Sequence, residues 1–304
     1  MSRGNVWRLA AAALATAQVM ASPKQDEVGA VMARTLKVPG ARLQYEVRGA
    51  GPLLLLIAGG PADASVFAKV ADVLAKHYTV VTYDPRGNSR SSLDGPPADW
   101  QADVHGDDAA RLIEVTGGGP AFVFGNSGGA MVGLNLAARH PDRVRALVAH
   151  EAPVVELLPD AAAHRARGQE VFDTYRSQGV GPAMQEFMTM AGLKGGPPQP
   201  AASQPSREMM ESMARMGRNA ELFLAHGLRQ TSAFVPDIPT LRKGSPRIVV
   251  AAGDESESQI AYRTAVALAE RLGTALVRFP GDHGGFMTRP DAFAGKLQEV
   301  LAGE

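Results

Sequence analysis

The stretch "PLLLLIAGG" (Pro52–Gly60) is an uninterrupted apolar run that ends in glycines, and it narrows the fold more than any other feature of the chain. A strand with one wet face alternates apolar and polar residues, whereas an uninterrupted run suits a strand covered on both faces. Runs of the same kind recur in "TVVTYDPRG" (Thr79–Gly87), "AFVFG" (Ala121–Gly125), "VRALVAHEAP" (Val144–Pro153), "RIVVAAG" (Arg247–Gly253) and "ALVRFPG" (Ala275–Gly281). Helix-like segments separate them at Phe67–His77, Asp103–Val115, Gly129–Arg139 and Gln259–Leu272, and Asp291–Leu301 closes the series. Ahead of them "ARLQYEVRG" (Ala41–Gly49) alternates as a half-buried strand does. Buried strands alternating with helices predict an α/β fold, a mostly parallel central sheet with helices on both faces.

The rhythm breaks between 154 and 244. Helical stretches at His164–Ser177 and Arg207–His226 flank the loop-like "GLKGGPPQPAASQPS" (Gly192–Ser206), and no buried strand is readable there. An all-helical insert within a parallel α/β chain reads as a cap. The expected organisation is a leader over 1–32, a core over 33–153 and 245–304, and a helical cap over 154–244. Seven of the twelve methionines fall between Met184 and Met216. They fill helical cores on one reading and make an adaptable apolar wall over a pocket on the other.

Composition removes several function classes. Thirty-one basic residues balance thirty-one acidic ones, and no Lys/Arg run stands out, so nothing in the charge favours nucleic acid. A small or neutral molecule is the expected partner. The absence of cysteine excludes disulfides, thiolate metal sites and cysteine nucleophiles. No run reaches the ~18 apolar residues of a membrane-spanning helix. In the leader, Arg3 and Arg8 precede an Ala/Leu-rich run, and Val19-Met20-Ala21 fits a small-x-small cleavage site before Ser22. A cleaved signal would send the protein to the periplasm or beyond; an uncleaved amphipathic leader would leave it in the cytoplasm.

In "GNSGG", Gly125, Ser127 and Gly129 fit G-x-S-x-G, with a buried strand before it and a helix after it. The glycines allow a tight turn that would hold the serine hydroxyl exposed at a helix N-terminus. A serine nucleophile needs a base, and His283 in "FPGDHGGF" follows the last strand in a glycine-rich loop that can reach over the carboxyl edge of the sheet. No metal or cofactor is expected. A structural serine in a turn and a histidine on a surface loop are the bland alternatives.

With these residues in place, the chain resembles the α/β-hydrolase superfamily from about Val38 to Leu301. "YDPRGNSRSS" (Tyr83–Ser92) is similar to the family's Tyr-Asp-x-Arg-Gly-x-Gly-x-Ser segment, and that likeness gives Asp84 and Arg86 structural roles. The family often carries His-Gly-x-Pro after its first long buried strand, where this chain has Ala58-Gly59-Gly60-Pro61. The resemblance implies an oxyanion hole from the backbone N–H groups of Gly60 and Gly128. It also implies a carboxylate orienting His283. The usual position after "RIVVAAG" holds Ser256, which leaves Asp254 and Glu255 nearby, while Glu151 ends an otherwise apolar strand, a place from which some haloalkane dehalogenases supply their acid. We rank Glu151 first, Asp254 second and Glu255 third.

Dehalogenases and epoxide hydrolases of this fold carry aspartate at the elbow, so Ser127 argues against both. A serine implies an acyl-enzyme route on an ester or lactone of a small to medium apolar acid. The alternatives are cleavage of amide or carbon–carbon bonds, perhydrolysis, or a catalytically silent ligand-binding protein on the same fold.

Overall fold

The computed structural model describes residues 31–193, 207–244 and 246–303. The proposed leader lies outside the described residues except for its last two positions, and Met32 already opens the first strand. In chain order the strands are β1 (Met32–Val38), β2 (Ala41–Arg48), β3 (Leu53–Ile57), β4 (Thr79–Tyr83), β5 (Ser92–Leu93), β6 (Ala121–Asn126), β7 (Val144–His150), β8 (Arg247–Gly253) and β9 (Leu276–Phe279). The helices are α1 (Ala68–Leu74), α2 (Ala102–Thr116), α3 (Gly128–Arg139), α4 (Ala161–Gln178), α5 (Val180–Ala191), α6 (Arg207–Leu222), α7 (Leu228–Ser232), α8 (Ile238–Lys243), α9 (Ile260–Leu272), α10 (Gly285–Thr288) and α11 (Pro290–Ala302).

The strands form one sheet in the order β1-β2-β4-β3-β6-β7-β8-β9, with β5 beside β2. From β4 to β9 every neighbouring pair is parallel, and β1 and β2 make an antiparallel edge. Alternate residues of the apolar runs feed opposite faces: Leu55 and Ile57 pack with α2, α3 and α9, while Leu54 and Leu56 pack with α1 and α11. This two-sided burial is why the runs have no polar alternation.

Strand β1 was not read from the sequence. Its first four residues are exposed, and its place is set by pairing with β2 rather than by its own pattern. Between β7 and β8 the described residues are helical or irregular. Here α4 and α5 pack through Val171 and Ala183 onto Leu224 and Leu228, making a small apolar cluster of their own. This segment is tied back to the sheet half. Asn219, buried on α6, accepts from Ser89 N (2.7 Å) and donates to Ser89 Oγ (2.9 Å), and Gln230 Nε2 donates to Asp99 (2.7 Å). The clustered methionines split their roles: Met184 and Met190 pack on the small cluster, whereas Met210 and Met216 are exposed.

Candidate active site

The functional candidates converge because parallel strands end at one edge. Asn126, the last residue of β6, stands in register with His150, the last of β7, so Ser127 and Glu151 leave the sheet side by side. Ser127 has φ 58° and ψ −126°, a conformation that costs a non-glycine residue about 1–3 kcal/mol. Its N–H donates to His150 O at 2.9 Å, and the helix α3 starts immediately after it. The flanking glycines make the turn possible by close approach. A Cβ on Gly125 would stand 2.4 Å from Gly129 O, and one on Gly129 only 2.0 Å from Ile57 O. No side chain fits at either place.

Glu151 is the second strained residue at this edge, with φ 50° and no exposed surface. Its N–H continues the ladder to Ala251 O at 2.9 Å, and Oε1 accepts from Gly253 N at 2.8 Å. The other oxygen, Oε2, accepts from His283 Nδ1 at 2.5 Å. His283 comes four residues after the end of β9, in a loop held by Gly281 N donating to Asp254 Oδ1 at 2.7 Å. Asp254, the second-ranked acid, therefore shapes the histidine's loop and does not meet its ring. Glu255, ranked third, is exposed and paired with Arg289.

The electrostatics of this edge keep Glu151 ionised. Burial acts most strongly on its carboxyl and pushes the pKa up, but the influences that lower it, led by the hydrogen bond from His283, outweigh burial and hold the group down at about 2. His150 is fully buried next door, and burial lowers its pKa to about 4. Neutral at ordinary pH, it donates Nδ1–H to Asn126 Oδ1 at 2.7 Å, and Nε2 is left without a partner among the described residues. With Glu151 holding Nδ1–H of His283, the lone pair of its Nε2 faces away from the carboxylate.

Gly60 follows β3 with φ 57°. A Cβ on Gly128 would lie 3.2 Å from Gly60 N, so the two peptide groups are neighbours. Neither N–H donates to a backbone acceptor among the described residues. Ser127, Gly60, Gly128 and His283 all line one cavity of about 90 Å³, walled from above by Phe187, Met190, Phe223 and Leu228 of the helical segment. No hydrogen bond joins Ser127 to His283 among the described residues, although both line this space. A carbonyl oxygen that gains negative charge as Ser127 attacks its carbon would meet two free backbone donors there.

The "YDPRG" residues lie outside the cavity that Ser127 lines. Arg90 forks onto Asp84 (2.7 and 3.0 Å), and Arg86 forks onto Asp108 (2.8 and 2.7 Å), so both pairs brace the loop after β4. Sequence reasoning missed a second, larger cavity of about 390 Å³ beside the first, lined by Tyr83, Trp100, Val104, His105, Phe223 and His226 among others. Phe223 and His226 reach it because the chain between α6 and α7 makes a π-helical turn, Phe223–Gly227, and such turns gather at functional sites. The π turn leaves no mark in an apolar pattern of period 3.6. Among the described residues no group of three His, Asp or Glu could hold a metal, and no helix is long and apolar enough to cross a membrane.

Comparison with known proteins agrees with this architecture. The family model for the alpha/beta hydrolase fold matches residues 52–226. An uncharacterized hydrolase of Bacillus subtilis, YraK, is 35% identical over 276 residues, covering 89% of this chain and 96% of that protein. A 2-(acetamidomethylene)succinate hydrolase of Mesorhizobium japonicum is 32% identical over 118 residues, 39% of this chain and 42% of that one. Among solved structures, a thermophilic esterase from Thermogutta terrifontis superposes with a TM-score of 0.67 at 20% identity, covering 90% of this chain and 98% of the esterase.

Proposed function

The chain belongs to the alpha/beta hydrolase fold family, and from that premise we propose that it is a serine hydrolase that cleaves an ester or lactone through an acyl-enzyme. Ser127 is the nucleophile, His283 the base and then the acid, and Glu151 the carboxylate that orients the imidazole. The observation that carries this reading is the Glu151–His283 hydrogen bond, with His283 and the strained Ser127 lining one cavity. The core over 33–153 and 245–304 supplies these groups, and the segment 154–244 acts as the cap.

Each step uses groups already described. Ser127 Oγ attacks the carbonyl carbon while its proton passes to Nε2 of His283. The oxyanion is held by the Gly60 and Gly128 N–H donors, which point at charge that exists only after attack. The imidazolium gains from ionised Glu151 at Nδ1, and it returns the proton to the leaving oxygen. Water then repeats the sequence on the acyl-enzyme. Apolar walls such as Phe187, Met190 and Leu228 suit an apolar substrate group.

The same apparatus cleaves amides, and the partial relative from Mesorhizobium japonicum is named for a substrate that contains one. A panel of short-chain esters, lactones and aliphatic amides tests the reading. Turnover is expected to be fastest on esters or lactones and to fall to background in Ser127→Ala. Ester turnover that survives Ser127→Ala, or a wild-type protein that binds the panel without turnover, would reject it.

A further inference from the structure

The two cavities meet where the scissile carbonyl would sit, and His283 tells them apart. Gly60, Gly128, Phe223 and Thr231 line both spaces, so the two backbone donors stand on the boundary. A planar ester with its oxygen on those donors sends its two substituents in different directions, one toward each cavity. The group that protonates the leaving oxygen must lie within hydrogen-bond reach of that atom. Ser127 and His283 line only the smaller cavity, of about 90 Å³. The leaving group therefore belongs on that side, with room for a few heavy atoms.

We propose that the larger cavity, about 390 Å³, is the acyl subsite, so that the preferred substrate joins a bulky acyl group to a small alcohol. This assignment rests on the serine-hydrolase reading above. The volume falls in the range of about 300–1,000 Å³ that holds small-molecule ligands. Most of the wall is apolar, from Ile57, Leu93, Trp100, Val104, Val132 and Phe223. Arg86, also in the wall, is engaged by Asp108, and Asp99 is held by His226 and Gln230. No unengaged charge is left on these walls for a charged acyl group. The acyl group that fits is uncharged and apolar, aryl or alicyclic.

Two ester series separate acyl from alcohol. The first is the methyl esters of acetate, butanoate, hexanoate and phenylacetate; the second is the methyl, butyl, hexyl and benzyl acetates. In the first series kcat/KM is expected to climb about fourfold for each methylene buried, and in the second to stay flat or fall. Val104→Phe, on the wall of the larger cavity, is expected to cut the preference for phenylacetate over acetate about tenfold, with circular dichroism checking the fold of the variant. A climb in the acetate series instead of the methyl-ester series overturns the assignment. So does a preference for phenylacetate that Val104→Phe leaves untouched. Fluorophosphonate labelling is run beside these assays. Labelling at Ser127 with the series reversed defeats the subsite alone; failure to label defeats both readings.

Discussion

Replacing Glu151 with Gln removes one charge and keeps nearly all of the volume of a side chain that has no exposed surface. The wild-type carboxyl is held at about 2 against an ordinary 4.5, even though burial, the strongest single influence, works in the other direction. The gap between those values corresponds to about 3 kcal/mol in favour of the carboxylate, and the hydrogen bond from His283 is the first of the influences that offset burial. In the proposed mechanism an attraction of that order is available to the imidazolium that forms when His283 takes the Ser127 proton. Losing it is expected to lower kcat about 10²-fold, and KM should change little because that pair of charges forms only on attack. Initial rates on a short-chain methyl ester measure this. Asp254→Asn is the matched control: its Oδ1 accepts from Gly281 N at 2.7 Å, a bond an amide oxygen can also make, and kcat is expected to stay within about threefold. If Glu151→Gln retains kcat within that margin, or if Asp254→Asn falls as far, the reasoning that assigns the carboxylate is wrong.

Stability should fall on mild acidification because His150 is buried neutral. Burial holds it at about 4 against an ordinary 6.5, so the unfolded chain binds a proton first as the pH drops below about 6.5. Its contribution is complete above that pH and lost between about 6.5 and 4, roughly 3 kcal/mol in all, while Glu151 adds a further loss between about 4.5 and 2. His105, which burial holds lower still at about 3, acts in the same window. Urea midpoints at pH 7 and pH 4.5 read this, and His150→Gln should remove about half of the difference; a wild-type midpoint that does not move would contradict it. Asn219→Ala breaks two hydrogen bonds to Ser89, and we expect a loss of about 2 kcal/mol, seen as a fall in Tm of roughly 3 °C. An unchanged Tm would show that the tie between α6 and the loop after β4 does not hold the segment. Gly129→Ala puts a Cβ 2.0 Å from Ile57 O, a backbone atom that cannot give way. We expect at least about 3 kcal/mol of destabilisation or no soluble protein, and a loss below about 1 kcal/mol in a denaturant titration would refute the clash.

The sheet was legible where burial on two faces suppresses polar alternation, as in Leu53–Ile57 and Val144–His150. Strand β1 was not, because an edge strand with exposed residues takes its conformation from the partner β2. Ser127 and His283 could be singled out from local pattern, a glycine-flanked serine between strand and helix and a histidine in a glycine-rich loop after the last strand. The carboxylate was harder to read. Glu151 and Asp254 both follow apolar strands, and only the order β7-β8-β9, together with the left-handed backbone of Glu151, decides which oxygen meets His283. Nothing in a linear sequence supplies that order. The larger cavity was hidden for a related reason: its walls come from the loop after β4, from α2 and from the π turn, segments far apart in the chain.

The central claim is that Ser127 forms a covalent bond to the substrate's acyl carbon. The most direct measurement incubates the wild-type protein and Ser127→Ala with a fluorophosphonate and maps the adduct by peptide mass spectrometry. The account predicts one modification, on the peptide that contains Ser127, and none in the variant. An adduct on any other residue, or an unmodified wild-type protein that still turns over esters, would contradict it.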